Sequence, residues 1–196
     1  MSAVVPEMPP SAPRMGNRAS RAFGRTILRL GGWRIDGQFP DVRHLVIIVA
    51  PHSSAWDAVW GFAGMLAMGV RINFMAKAEL FRGPLGWLLR LLGGMPVVRS
   101  RAHGAVEQAA AQVRRAPVCW FLLAPEGTRK RVEHWKSGFW HIARNADAPL
   151  MCAHFHYPDK TMVLGPVMPL SDDLDADMAA IREHYRPFIG KNRGTV

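Results

Sequence analysis

The chain has 196 residues, 49% of them hydrophobic and 20% charged, which are ordinary values for one globular domain with a sizeable core. No stretch of 18 uncharged apolar residues occurs, so we predict no transmembrane helix. The formal net charge of +10 predicts an anionic partner, which is nucleic acid, anionic lipid or a phosphorylated substrate.

The first 31 residues divide into two parts. Residues 1–16 are rich in Pro, Ser and Met and lack the basic-then-apolar order of a signal peptide, so we expect a disordered lead-in. Residues 17–31 form a predicted basic amphipathic helix, with arginines at helical spacing on one face. These are Arg18, Arg21, Arg25 and Arg29. Such a helix either lies on an anionic membrane surface or packs its apolar side on its own domain.

Strand and helix patterns alternate through residues 32–196. Strands are predicted at 32–36, 44–50, 71–77, the residues leading to Arg99, 117–124, 148–157 and 160–170. Helices are predicted at 57–69, 84–92, 103–115, 136–147 and 173–190. This order predicts a single α/β domain with a mixed, largely parallel sheet flanked by helices. The two cysteines lie in apolar segments, which favours free thiols in a reducing cytoplasm.

Three polar clusters each follow an apolar strand. "APHSSAWD" follows "LVIIV", "VVRSR" ends the strand after Gly93–Gly94, and "APEGTRKR" follows "VCWFLL". Ligands of open α/β sheets gather at the carboxyl ends of the strands. If these strands are parallel, the three clusters meet at one edge, and we expect the active site there.

The first cluster allows three interpretations. His52 is a candidate general base that Asp57 would orient, since an imidazole accepts a hydroxyl proton best when a carboxylate fixes its tautomer. Ser53 and Ser54 offer a nucleophile, but they lack the G-x-S-x-G elbow and are better suited to capping the next helix. The third interpretation is a polar loop without chemistry.

The third cluster contains the turn Glu126-Gly127-Thr128-Arg129. Gly127 permits a positive φ or close backbone approach. Thr128 supplies a hydroxyl and Arg129 a planar fork that suits phosphate. Glu126 fits a phosphate cradle less well, and holding Arg129 or bonding a substrate hydroxyl are two roles for it. An ordinary turn at the end of a strand is the alternative.

Taken together, "HSSAWD" and "APEGTR" resemble the H-x4-D and E-G-T-R motifs of the glycerophospholipid acyltransferase family, in the same order. "KAELFRGPLGWLLRLLGGMPVVRS" resembles the block between them, with Arg99 at the acceptor-binding position and Lys77 near its start. The resemblance implies a glycerol-3-phosphate-acyltransferase-like fold for residues 32–196. It also implies that His52 is the base and that Asp57 orients it.

The resemblance also implies the substrates. Acyl-CoA or acyl carrier protein would donate the acyl group to the hydroxyl of a lysophospholipid such as 1-acylglycerol 3-phosphate, without a further cofactor. Lys77, Arg99 and the 126–129 turn would bind the acceptor and its phosphate. We expect a peripheral enzyme on the cytoplasmic face of the membrane, bound to anionic lipid through the arginine-rich helix.

Other functions stay open at this point. The fourth family block departs from its pattern at "APLMCA", which leaves a different lysolipid or a specialised metabolite as acceptor. A thioester or ester hydrolase and a non-catalytic anionic-lipid-binding module are further alternatives. Nucleic acid is not expected, because basic residues are not interleaved with aromatics along one face. His154 and His156 share one face of a strand, but nothing nearby completes a metal site, so no metal is expected.

Overall fold

The computed structural model describes residues 5–97 and 102–194. Its helices are α1 (Arg18–Gly31), α2 (Trp56–Met68), α3 (Gly83–Leu91), α4 (Ala102–Arg115), α5 (Gly138–Ala146) and α6 (Leu174–Tyr185), with a 3-10 helix at Ala78–Phe81. Its strands are β1 (Arg34–Gly37), β2 (His44–Val49), β3 (Asn73–Lys77), β4 (Gly94–Val97), β5 (Cys119–Leu123), β6 (Leu150–His156) and β7 (Thr161–Met168).

The seven strands form one sheet in the order β1-β7-β6-β2-β5-β3-β4. Strands β6, β2, β5, β3 and β4 are parallel to one another, whereas β7 is antiparallel to β6 and pairs in parallel with β1. The predicted α/β fold with a mixed, largely parallel sheet is therefore confirmed. Because β2 and β5 are parallel neighbours, the segments that follow them emerge side by side.

Apolar layers cover both faces of this sheet, which explains why β2 and β5 are continuous apolar runs. One layer includes α1, α2 and Trp120, and the other includes α4, α5, α6 and Phe121. Residues next to each other on β5 thus enter opposite layers, as the two-residue period of a strand requires. Tyr185, on α6, donates its hydroxyl to the carbonyl of Ile48 at 2.8 Å and thereby ties α6 to β2.

The first two segments lie against the domain. Met8 and Ala12 are buried in the core on the α2 side, and Arg14 pairs with Val70. Residues 5–16, for which composition favoured disorder, thus bury apolar side chains and form backbone bonds. A Pro- and Ser-rich composition lowers the number of apolar residues but leaves enough of them to anchor a segment.

Helix α1 packs on α2 at Gly24. A Cβ on Gly24 would lie 2.5 Å from the backbone nitrogen of Ala67, so only glycine permits this close crossing. Leu28 is fully buried beside it, whereas Phe23 and Leu30 are 60% and 83% exposed. The helix therefore packs on its own domain and also leaves apolar and basic side chains in solvent.

The end of the last helix differs from the sequence prediction. The last helix ends at Tyr185 rather than at residue 190, because Pro187 lacks the N–H that would continue the helix. Strand β4 is described to Val97, so Arg99, which was predicted to bind the acceptor, lies outside the described residues.

Candidate active site

His52 and Asp57 meet at the carboxyl end of β2. Nδ1 of His52 lies 3.1 Å from Oδ2 of Asp57. The two side chains are within ion-pair distance, although Nδ1 makes no well-aligned hydrogen bond in this structure. The imidazole is about one quarter exposed, and the carboxylate is buried. With Nδ1 on the carboxylate, Nε2 is the nitrogen left to accept a proton from a substrate.

The backbone between the two residues holds the Asp57 carboxylate. Oδ2 accepts hydrogen bonds from the N–H groups of Ser53 and Ser54, both at 3.0 Å. Asp57 lies in the first turn of α2, where the helix dipole also favours a negative charge. The Ser54 hydroxyl accepts from the Trp56 N–H at 3.2 Å, but the N-cap residue of α2 is Ala55, so the expected cap by a serine side chain is not formed. Both serines are buried, so neither hydroxyl is presented as a nucleophile.

Tyr157 completes the surroundings of Asp57. It directly follows β6, the parallel neighbour of β2, and donates its hydroxyl to Oδ1 of Asp57 at 2.6 Å. Burial alone would raise the pKa of Asp57, but hydrogen bonds from His52, Tyr157 and the Ser54 N–H outweigh it and lower that pKa. Burial and the adjacent carboxylate raise the pKa of Tyr157, so its proton stays on the hydroxyl.

Sequence reasoning missed Tyr157. The available signal was its position, because it is a polar side chain at the carboxyl end of an apolar strand. The sequence does not indicate that Asp57 is the partner of Tyr157, since their contact depends on β6 lying next to β2.

The 126–129 turn follows β5, beside His52. Gly127 has φ of 63°, a left-handed conformation that side chains rarely adopt, and a Cβ there would also crowd Lys136. Thr128 Oγ1 accepts from the Lys130 N–H at 3.3 Å, and Arg129 is exposed. Thr128 can still donate its hydroxyl proton, and the Arg129 guanidinium is accessible to an anion.

Glu126 points inward instead of toward an acceptor. It is 2% exposed, and its Oε2 lies 2.7 Å from the Arg193 guanidinium and 3.3 Å from the backbone nitrogen of His52. The cation that it holds is thus Arg193, not Arg129. Burial raises the pKa of Glu126, and the Arg193 charge opposes that rise.

An apolar cavity of about 280 Å³ begins at His52 and Asp57 and extends along the sheet toward α2. His52, Asp57 and Arg129 are among its few polar linings. The apolar lining includes Ile47, Val49, Phe62, Met65, Leu122, Phe155 and Met162. Leu80 lines the cavity and is also 43% exposed, so the cavity reaches the surface beside the 3-10 helix.

Lys77 ends β3 and is exposed, but it does not line the cavity. His154 lies against Phe188, with ring centroids 3.5 Å apart, and His156 lies 3.8 Å from Asp159. Among residues 5–97 and 102–194, no three His, Cys, Asp or Glu side chains are grouped so that they could hold a metal.

The profile of the family described as Acyltransferase matches residues 34–155, more than half of the sequence. This chain belongs to the acyltransferase family. The matched range contains His52, Asp57 and the 126–129 turn, and it ends two residues before Tyr157.

Two known acyltransferases are similar to this chain. The 1-acyl-sn-glycerol-3-phosphate acyltransferase of Streptococcus pneumoniae is 27% identical over 145 residues, which cover 69% of this chain and 54% of that protein. The chain thus spans about half the length of this curated relative. The crystal structure of the 1-acyl-sn-glycerophosphate (LPA) acyltransferase PlsC from Thermotoga maritima matches 89% of this chain and 81% of its own, with a TM-score of 0.61 and 18% identity, which shows the shared fold.

Proposed function

We propose that this acyltransferase moves a fatty acyl group from acyl-CoA or acyl carrier protein to the hydroxyl of a lysophospholipid such as 1-acylglycerol 3-phosphate. One observation carries the proposal: His52, Asp57 and Arg129 line the same apolar cavity. A base, a cation for phosphate and an apolar space for a fatty chain are thus adjacent. The pneumococcal relative is a 1-acyl-sn-glycerol-3-phosphate acyltransferase, which supports this choice of acceptor.

In the proposed mechanism, His52 removes the proton from the acceptor hydroxyl through Nε2, while Asp57 stabilises the resulting imidazolium through Nδ1. The oxygen attacks the thioester carbonyl, and an ester C–O bond forms. The C–S bond then breaks, and the departing thiolate takes the proton from His52. The thioester supplies the activated acyl group, so we propose no further cofactor.

We propose that the acceptor's phosphate binds to Thr128 and Arg129. The Arg129 guanidinium is exposed beside the cavity, and its planar fork matches two phosphate oxygens. Lys77 and Arg99 remain proposed phosphate ligands through the family resemblance. Lys77 lies at the end of β3, two strands from β2, which suits a supporting charge better than direct contact with the reacting atoms.

We further propose that the enzyme is a peripheral protein on the cytoplasmic face of the membrane. Within the described residues, none of the helices has the length and apolar character needed to cross a bilayer. The exposed arginines of α1 fit anionic headgroups. Helix α3 adds an apolar surface next to the cavity opening, with Leu85, Trp87 and Leu91 all more than half exposed.

The test is an acyl-transfer assay with the purified protein, radiolabelled acyl-CoA or acyl carrier protein, and a panel of lysolipids. We expect diacyl product from a phosphate-bearing lysolipid, and His52→Ala should lower kcat/KM by about 10²–10⁴-fold. Asp57→Asn should produce a comparable loss, because the carboxylate that holds the imidazole becomes neutral. His141→Ala is the matched control, since His141 is exposed on α5, away from the cavity lining.

The assay also separates the alternatives. Consumption of the acyl donor without any acceptor, releasing free fatty acid, would identify a hydrolase. If product forms only from a lysolipid that has no phosphate, that lysolipid and not 1-acylglycerol 3-phosphate is the acceptor. Equal product with His52→Ala and wild type, or binding to anionic vesicles without product from any acceptor, would overturn the proposed mechanism.

A further inference from the structure

A tight turn after α6 folds back over the candidate active site. Ile189 and Gly194 form a bridge, and the Gly190 N–H donates to the Arg193 carbonyl at 3.0 Å. The carbonyl of Ile189 accepts from the N–H of Tyr157, the residue whose hydroxyl binds Asp57. We refer to residues 189–194 as the closing turn.

The closing turn contacts the first motif through Asn192. Its backbone N–H donates to the Ser53 hydroxyl at 3.2 Å, and its side-chain amide donates to the Ser53 carbonyl at 2.8 Å. Ser53 is buried and is the residue directly after His52. The backbone that carries the proposed base is therefore held from outside the motif.

The same turn contacts the 126–129 turn through Arg193. One guanidinium nitrogen lies 2.7 Å from Oε2 of Glu126, and the other lies 3.4 Å from Oε1, which forms a forked pair. Arg193 also donates to the carbonyls of Lys130, at 2.8 Å, and Arg129, at 3.4 Å. A single side chain thus binds both ends of the segment that contains Thr128.

Glu126 connects these contacts to His52. Its Oε2 accepts from Arg193 and also from the His52 N–H. The carboxylate is 1% exposed and the Arg193 side chain only 17%, so water does little to replace either partner. A buried carboxylate that loses its counter-charge is strongly destabilised, so the position of Glu126 depends on Arg193.

We propose that Arg193 is a positioning residue, which fixes the 126–130 backbone against His52 and thereby sets the place of the acceptor's phosphate relative to the base. The inference rests on the proposed function, because the phosphate is that of the proposed acceptor. Arg193 itself acts through Glu126 and the two carbonyls and does not need to touch the substrate.

The experiment compares wild type with Arg193→Gln, Arg193→Lys and the double variant Glu126→Gln/Arg193→Gln. We expect Arg193→Gln to raise KM for the lysophospholipid about tenfold or more, with a smaller change in kcat. The double variant should recover much of that loss, because it leaves no unpaired buried charge. Arg193→Lys should be intermediate, since an ammonium keeps the charge but loses the fork.

The pH dependence of kcat/KM distinguishes positioning through Glu126 from a general structural role of Arg193, which would not change it. Without its counter-charge, Glu126 becomes easier to protonate, and protonation removes the unpaired charge. The ratio of wild-type to Arg193→Gln kcat/KM should therefore shrink as pH falls, whereas the double variant should show no such trend. Arg186→Gln is the matched control, since Arg186 is exposed and pairs with Glu183 on the surface.

Hydrogen–deuterium exchange tests the same inference without turnover. Exchange of the 126–130 amides should be faster in Arg193→Gln than in wild type and close to wild type in the double variant. A separate outcome is that wild type transfers no acyl group while the 126–130 amides still exchange faster in Arg193→Gln and normally in the double variant. In that case the proposed function fails and the positioning role of Arg193 stands. Wild-type KM together with unchanged exchange in Arg193→Gln would overturn the inference, and so would a double variant that is no better than Arg193→Gln.

Discussion

At the scale of single residues, Asp57 is the most constrained group of the site. One oxygen accepts two backbone N–H groups and faces His52, and the other accepts the Tyr157 hydroxyl. Such a carboxylate cannot rotate without breaking several bonds at once. It therefore fixes the imidazole in one orientation, and its lowered pKa keeps it charged at neutral pH.

The first prediction concerns Tyr157→Phe. This change removes one hydrogen bond that lowers the pKa of Asp57, so that pKa should rise. The ionised carboxylate would then be lost at a higher pH. We expect kcat/KM for acyl transfer to fall several-fold at neutral pH, because the carboxylate that orients His52 is held by one hydrogen bond fewer.

The Phe variant has a built-in structural control. Its ring keeps the edge-to-face contact with Trp33, whose centroid lies 5.0 Å from that of Tyr157. The ring packing is therefore preserved, and any loss of thermal stability at neutral pH reports the lost hydrogen bond to the buried Asp57 carboxylate. Wild-type kcat/KM in Tyr157→Phe would show that Tyr157 does not support His52 through Asp57.

Residue roles differ in how far the sequence can predict them. His52 and Asp57 are separated by four residues that form a turn, so local geometry alone brings them together. Tyr157 lies 100 residues from Asp57, and Arg193 lies 67 from Glu126. Their pairing depends on the order of strands in the sheet and on the path of the chain after α6. No local pattern encodes either of these.

At the scale of elements, α3 is unusual because much of its apolar surface is in solvent. Trp87 is 67% exposed, Leu85 51% and Leu91 53%, whereas Leu89 is buried. Arg82 and Arg90 are exposed on the same short segment. An exposed apolar helix with basic residues, next to an apolar cavity, suits contact with an anionic lipid surface.

The second prediction tests this surface with Trp87→Glu and Leu85→Glu. Each change should weaken sedimentation with anionic phospholipid vesicles by about tenfold or more, because it replaces apolar burial of roughly 1.5–3 kcal/mol with a charge. Activity toward a water-soluble, short-chain acceptor should change little.

Val118→Glu is the matched control, since Val118 is an exposed apolar residue just before β5, at the other end of the strands. Vesicle binding that is equal in all three variants and wild type would rule out α3 as the contact. In that case α1, with its exposed arginines and Phe23, becomes the surface to test.

At the scale of the whole molecule, burial of His154 links folding to pH. This side chain, on β6, is 4% exposed and lies near His184 of α6, stacked on Phe188. Burial, with smaller contributions from His184 and His156, lowers its pKa to about 4. The unfolded chain therefore binds a proton at this residue below about pH 6.5, when the folded chain does not.

The third prediction follows from this difference. As pH falls from about 6.5 to 4, the free energy of unfolding should decrease by a contribution from His154 on the order of 3 kcal/mol. His154→Phe should remove most of that contribution while preserving the stack on Phe188. Denaturant unfolding of both proteins at several pH values measures it.

The informative quantity is the difference in unfolding free energy between wild type and His154→Phe. Glu126, whose pKa is raised, increases the free energy of unfolding as pH falls over part of this range and does so equally in both proteins. His184, with its own lowered pKa, should leave a smaller acid dependence in the variant. Parallel curves for wild type and His154→Phe would contradict the prediction.

The apolar cavity also has a consequence for folding. Apolar side chains such as Ile47 and Met65 line a space of about 280 Å³ that reaches the surface beside Leu80. An apolar lining is stabilised by apolar contact, which the polypeptide alone does not supply across this space. A bound fatty chain would act as the missing core side chain, so each substrate would stabilise the fold while it stays and release that stability as it leaves.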